Sequence, residues 1–399
     1  MRILSISTLF PNPARPLFGV FVGNQMRTIA ERGDVDLTMI SPIGLPVWPL
    51  SLRQPYRDYR AIPDKQDMGG LTVHYPRFTL IPKLGGDSNP GRIVSAILPL
   101  AKKLHALKPF DLVDAQFFFP DGPAAAQIAG ALGLPLTIKS RGADVHFWGK
   151  RPNALKQMLY AANQSAGLLS VSEALRRDMA ALGMPQERIA IHYTGLDRDK
   201  FHPLDRGAAR ALISALPTLG VPIKGPLIVT PGALIERKGQ KYVIDALTEL
   251  PEARLALAGT GEDEAALRAM AEQRGISDRV HFLGLVSHDL LPQLLSAADV
   301  VALPSASEGL ANVWVEALAC GTPLVITDIG GAREIVQDQS AGLIVGRNGA
   351  AIAAAVSRIL ADPPTQEAVA ANVSQFSWGT NAENLVRFWT DVLDAHARS

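Results

Sequence analysis

Along most of the chain, short β-rich apolar runs alternate with stretches whose apolar residues recur at helical spacing. RILSIS (2–7), VDLTMIS (35–41), LVDAQFF (112–118), LPLTIKS (134–140) and GLLSVS (167–172) read as buried strands. Helical patterns fall between them, for example over 24–32 and 124–132. After about Pro203 the alternation starts afresh with PLIVTPGAL, ARLALAG, VHFLG, VVALP and PLVITD. Strand and helix alternating in two successive series predict an α/β protein with two doubly wound, Rossmann-like parallel-sheet domains in tandem. The stretch FHPLDRGAARALISALPTLG (201–220) interrupts the series and is the expected boundary. Near the C-terminus, Leu385, Phe388, Trp389 and Val392 form one more helical stripe. The expected domains are therefore 1–203, 204–375 and a closing helical segment, 376–399.

Composition narrows the picture. A length of 399 residues fits two domains better than one at roughly 150 residues each. Apolar residues make up 47% and charged ones 19%, which excludes a disordered chain. The one cysteine, Cys320, excludes an internal disulfide and a cysteine-rich metal site. Its apolar setting, EALACGTP, predicts a buried, unreactive thiol. The first residues are too short an apolar run for a secretory signal, and no window offers the roughly 20 apolar residues of a spanning helix. A soluble cytoplasmic protein is expected. Charge is uneven: through Phe201 there are 24 Lys and Arg against 16 Asp and Glu, a net of +8, and the remainder holds 15 against 22, a net of −7. Such asymmetry predicts that the first half faces something anionic; nucleic acid is not the expected partner.

The candidate chemistry lies in the strand-to-helix loops, where ligands bind in such sheets. In SEGLANVWVEALACGTPLVITDIGGAREIV (307–336), Glu308 and Glu316 stand eight positions apart. Glu308 falls in the loop after VVALP, and Glu316 about one turn into a helix starting near Asn312. A loop carboxylate can accept hydrogen bonds from sugar hydroxyls, and a second one can grip a ribose diol. Between them, Gly309, Leu310, Ala311 and Asn312 offer backbone N–H groups at a helix N-terminus, which favours an anion. Taken alone, the two acids could equally be a dipole partner and an ordinary helix residue. In TPGALIERKGQKYVIDAL, Arg237 and Lys238 follow a strand, where adjacent cations can neutralise a leaving diphosphate. Gly259 and Gly261 begin a G-x-G-x-x-G pattern whose third position is Glu264, so it fails as a dinucleotide fingerprint.

With these motifs in order, the chain resembles the family 4 retaining glycosyltransferases of the GT-B fold. The resemblance is carried by the Glu308/Glu316 pair, GALIERKG, AGTGEDEAAL, SVSEALRRDMAALG, TGLDRDKF and GGAREIV. It implies two Rossmann-like domains facing a central cleft, with the C-terminal helix crossing back to the N-domain. It implies an acceptor-binding N-domain and a nucleotide-sugar-binding C-domain. Glu308, Lys238, Arg237 and Arg141 would be the catalytic set. Gly19, Gly232, Gly261, Gly309, Leu310, Ala311, Asn312 and Glu316 would hold the donor. Phe18, Arg141 and Asp144 would meet the acceptor. DAQFFFPDG and SRGADVH resemble members that build bacterial exopolysaccharides or cell-wall glycans. Three positions depart from the family pattern: Phe18-Gly19 stands for Gly-Gly, Ala233 for an arginine, and Arg141 for a histidine. An arginine stays protonated and cannot act as a general base, but it can bind a phosphate or a uronate.

The implied reaction is retaining transfer of a sugar from a nucleotide-sugar to a glycan or lipid-linked acceptor. No cofactor or metal is expected: the histidines are scattered and no acid cluster has ligand spacing. The alternative is a nucleotide-sugar epimerase of the same architecture. GRIVSAILPLAKKLHALKPF (91–110) has apolar residues at helical spacing flanked by Lys102, Lys103 and Lys108. With Trp48, Tyr56 and Trp148 nearby in the basic half, it predicts peripheral contact with an anionic membrane surface.

Overall fold

A computed structural model describes residues 1–82, 85–216 and 224–398. The chain divides into two compact units, Met1–Gly195 with Trp378–Ser399, and Leu196–Ser377. The division falls upstream of the expected 203/204 boundary, and the closing helix belongs to the first unit.

The first unit is built on an eight-stranded sheet. In spatial order the strands are Ile189–Ile191, Gly167–Ser170, Leu136–Ser140, Leu112–Ala115, Arg2–Ile6, Asp36–Ile40, Leu71–His74 and Lys65–Met68. All neighbours are parallel except the last pair. The chain starts in the middle and builds outward both ways, so the strand order reverses between Arg2–Ile6 and Leu112–Ala115. Both faces are covered, which is why the central strands read as unbroken apolar runs. Helix Asn89–Leu107 turns Ile93, Ile97 and Ala101 into the core. Its apolar stripe is a packing face, and Lys102 and Lys103 lie on its outer side.

The second unit carries six parallel strands in the order Val280–Gly284, Arg254–Ala258, Leu227–Pro231, Val300–Leu303, Leu324–Thr327 and Gly342–Val345. Here the order reverses between Leu227–Pro231 and Val300–Leu303. The expected boundary stretch contains a helix of this unit, Arg206–Ala215. Asp205 caps it by accepting from the Ala208 N–H at 2.7 Å, and Ala209 and Ile213 are buried. The end of that stretch, 217–220, lies outside the described residues.

The C-terminal helix, Trp378–Ala397, packs on the first unit through Leu385, Val386, Trp389 and Val392. The Trp389 indole N–H donates to Asp114 at 3.3 Å, deep under the sheet. Among the described residues no helix is long and apolar enough to cross a membrane.

Candidate functional site

In an open parallel sheet, ligands bind beyond the carboxyl ends of the strands, where the strand order reverses. In the second unit the loops there follow Leu227–Pro231 and Val300–Leu303. The first carries Arg237 and Lys238, and the second carries Glu308. Lys238 Nζ donates to Glu308 Oε1 at 2.6 Å, and Arg237 Nη1 lies 3.2 Å from the same oxygen. Arg237 also donates to the Ser307 carbonyl. Lys238 and Glu308 are largely buried, with side chains 14% and 11% exposed, so their pairing is less screened than a surface ion pair. A point on which two cationic donors converge is a seat for an anionic oxygen.

The two loops are stitched together. The Ala306 N–H donates to the Arg237 carbonyl at 2.7 Å. Arg347 bridges them, with Nε donating to the Pro304 carbonyl at 2.9 Å and Nη2 to the Glu236 carbonyl at 2.7 Å. The Glu308 loop is also fixed by GGAREIV. Gly330 has φ +49°, and a Cβ there would stand 2.2 Å from the Glu308 carbonyl. The next N–H, of Gly331, donates to the Gly309 carbonyl at 2.7 Å. The approach at Gly330 is open only to glycine.

Beyond Glu308 the chain enters helix Asn312–Ala319, whose N-cap, Ala311, supplies no side-chain cap. Its first N–H groups are therefore available to an anion. Leu310 is buried against Gly331. Glu316 sits on the helix outside the Glu308 cluster; its Oε1 is 3.7 Å from His288 Nε2. Gly232 lies beneath the Lys238 stem, and Gly261 packs on the Leu234 backbone. Gly261 therefore serves the close approach of two loops. Cys320 is buried, and burial pushes its thiol up to about 12, so it stays protonated and inert.

The remaining candidates lie in the first unit, again at carboxyl ends. Gly19 caps helix Val20–Glu31 with φ +66°, and a Cβ there would meet the Leu9 carbonyl at 2.6 Å. Phe18 is half-buried beneath the Arg15 guanidinium, 3.8 Å from its ring centre. Arg141, just after Leu136–Ser140, is held by neutral partners. Nε donates to the Gln116 carbonyl at 3.0 Å, and Nη2 to Gln116 Oε1 at 2.7 Å and Gln25 Oε1 at 3.4 Å. Gln25 and Gln116 bond to each other at 2.8 Å. Nη1 is buried without a partner. Burial brings the guanidinium down to about 10, still cationic at neutral pH.

Asp144 is fully buried, and its two oxygens accept from the N–H groups of Phe118, Arg141, Gly142 and Val145 and from the Ser140 hydroxyl. That engagement shapes the loop bearing Arg141 and leaves the carboxylate little capacity for a ligand. His146 pairs with Asp178 at 2.8 Å. Behind Arg141, Lys139 is buried with Nζ 2.7 Å from His192 Nδ1, and burial pushes both well below their usual values. The clamp of Gln25 and Gln116 was missed in the sequence. Gln116 directly follows a strand, a position that could have flagged it; Gln25, inside a helix, carried no signal. Arg347, in the loop after strand Gly342–Val345, was missed because the carbonyls it reaches are far away in sequence. Among the described residues no group of His, Cys, Asp and Glu could hold a metal ion.

Comparison with known proteins bears on these sites. A family model described as Glycosyl transferases group 1 matches residues 217–376, and one described as Glycosyltransferase Family 4 matches residues 56–200. TuaC of Bacillus subtilis, named for teichuronic acid biosynthesis as a glycosyltransferase, is 28% identical over 396 residues, covering 96% of this chain and 97% of that protein. A D-inositol 3-phosphate glycosyltransferase of Mycobacterium leprae is 36% identical over 211 residues, covering 50% of this chain and 48% of that protein. The crystal structure of Anabaena Alr3699/HepE in complex with UDP superposes with a TM-score of 0.75 at 20% identity, covering 98% of this chain and 100% of that one. At that identity the likeness concerns the fold alone.

Proposed function

The chain belongs to the group 1, family 4 glycosyltransferases of the GT-B fold, and from that premise we propose that it moves a sugar from a nucleotide-sugar to a glycan or lipid-linked acceptor with retention of anomeric configuration. The observation that carries the reading is the convergence of Lys238 and Arg237 on Glu308 at the point of strand reversal. The two cations would hold the leaving diphosphate, helped by the uncapped N-terminus of Asn312–Ala319. Glu308 would accept from hydroxyls of the transferred sugar, and Glu316 would grip the nucleotide ribose. No residue in this set is placed as a nucleophile. This suits an oxocarbenium-like transition state in which the leaving phosphate takes the acceptor proton on the same face. The charge that grows on the diphosphate would be met by Lys238 and Arg237, without a metal. Anabaena Alr3699/HepE has been crystallised with UDP-glucose, which supports a nucleotide-sugar donor. Relatives named for teichuronic acid and inositol phosphate chemistry support a role in glycan assembly. Arg141, cationic and held by amides, suits an acceptor that carries a phosphate or a carboxylate.

The test is to incubate the protein with a panel of nucleotide-sugars and follow the anomeric signals of the product by proton NMR. The α-configured donors should give α-configured products. Lys238→Ala and Arg237→Ala should each lower turnover by roughly 10²–10³ without unfolding the protein, the range seen when one transition-state donor is removed. Glu308→Ala should lower turnover more than nucleotide affinity. Inverted products would sink the retaining reading. An epimerised donor without transfer would replace it with the epimerase.

A further inference from the structure

The segment 47–60 of the first unit combines two features that rarely coexist on a surface facing only water. Trp48, Val47, Leu52 and Leu50 are 76%, 63%, 51% and 40% exposed, four large apolar side chains within six residues. Directly after them come Arg53, Arg57 and Arg60, all exposed, with Asp58 as the one acid of the segment. The turn Leu50–Leu52 packs against the short helix Tyr56–Arg60, so the apolar and basic groups share one projection. Scattered exposed apolar residues need no explanation, but a contiguous group rimmed by cations does.

The topology fixes where this projection stands. Strand Asp36–Ile40 runs parallel to Leu71–His74, with Ile40 opposite His74. Strand Lys65–Met68 runs antiparallel to Leu71–His74, with Lys65 opposite His74. Segment 47–60 leaves after the first of these ends and returns before the last begins. It therefore projects from the carboxyl edge of the sheet, the edge that also carries Gly19 and Arg141. Leu17, 73% exposed, lies on the loop leaving the same edge.

We propose that segment 47–60 seats on an anionic membrane surface, with Trp48, Val47, Leu50 and Leu52 entering the headgroup region and Arg53, Arg57 and Arg60 meeting lipid phosphates. The chemistry matches what an interfacial element needs: apolar and aromatic residues on one side, basic residues beside them. Each arginine near such a surface raises binding by about fivefold, and the effect is screened by salt. The inference rests on the transfer reading for its purpose: a lipid-linked acceptor would be presented to the sheet edge that bears Arg141. It moves the membrane contact away from helix Asn89–Leu107, whose apolar stripe is spent on the core.

Co-sedimentation of the full chain tests it, with vesicles of phosphatidylcholine alone and of phosphatidylcholine mixed with phosphatidylglycerol. The wild type should pellet with the mixed vesicles at low salt and stay in the supernatant with phosphatidylcholine. The combined substitution Arg53→Glu, Arg57→Glu, Arg60→Glu should lower binding by about a hundredfold. Trp48→Ser with Leu50→Ser and Leu52→Ser should abolish pelleting. Lys102→Glu with Lys103→Glu should change binding only a few-fold. A wild type that remains in the supernatant with the mixed vesicles overturns the proposal, as does pelleting that the first two variants leave intact. If sedimentation velocity instead shows a dimer that Trp48→Ser dissociates, with no vesicle binding, the patch belongs to a second copy. Titration of UDP in the same samples separates the two readings, since vesicle binding does not depend on it.

Discussion

Three buried or half-buried carboxylates at strand ends meet three different fates. Glu308 shares one oxygen between two cations, whereas Asp144 spreads its two over backbone N–H groups and a serine hydroxyl. Asp121, fully buried at the start of helix Asp121–Leu132, accepts from the Thr8 N–H at 2.8 Å and leaves Oδ1 without a partner. Burial pushes its carboxyl up to about 7, and the nearby Asp144 adds to the shift. A carboxyl raised in the folded state keeps a proton that the unfolded chain has released. Its contribution to stability is therefore lost as pH rises from the ordinary carboxylate range through about 7. Asp121→Asn keeps the acceptor for Thr8 and removes the charge. Thermal melts of the two proteins should nearly coincide at pH 5, with the variant gaining on the wild type toward pH 8 by an amount on the order of a few kcal/mol. Parallel curves across that range would contradict the assignment. Burial of this kind was invisible in the sequence, where nothing singled out Asp121 and the resemblance placed Asp144 at the acceptor. Glu308 was legible because its spacing to Glu316 and its place after a strand are written in the chain.

Among the elements, apolar strands were readable because a strand covered on both faces shows as an unbroken apolar run. The hairpin Lys65–Met68 with Leu71–His74 was not, because KQDM lies at the sheet edge and is polar. The stretch read as the domain boundary proved to hold a capped helix: Asp205 supplies the cap and Ile213 the buried face, too short a stripe to stand out beside the prolines around it. Loop positioning was the least legible layer, since Arg347 reaches carbonyls of Pro304, Glu236 and Arg237 far away in sequence. Arg347→Ala should loosen both loops and cut turnover by roughly 10–100-fold, because small misplacements of catalytic groups carry such penalties. Arg347→Lys keeps the charge but not the planar fork and should recover only part of it. Steady-state kinetics beside a thermal melt decides the matter: a lower melting temperature with unchanged kcat would mean that Arg347 only stabilises the fold.

At the scale of the whole molecule, the halves divide by charge, +8 through Phe201 and −7 beyond it. On the proposed function the acidic half, which carries the diphosphate candidates, would have to bind an anion against its own net charge. It can do so because local donors outweigh a distant field screened over about 8–10 Å at ordinary ionic strength. The basic half is free to face anionic acceptors or lipids. Everything in this account turns on the nucleoside diphosphate seat, and calorimetric titration of UDP, ADP and GDP into the wild type and Glu316→Ala tests it most directly. At least one of them should bind the wild type, and at 100 times its dissociation constant should stabilise it by about 2.7 kcal/mol in a thermal melt. Glu316→Ala should bind the same nucleotide at least about tenfold more weakly, as loss of a charge-assisted pair of hydrogen bonds predicts. A wild type that binds none of the three, or a variant with unchanged affinity, would contradict the seat drawn around Glu316, Arg237 and Lys238.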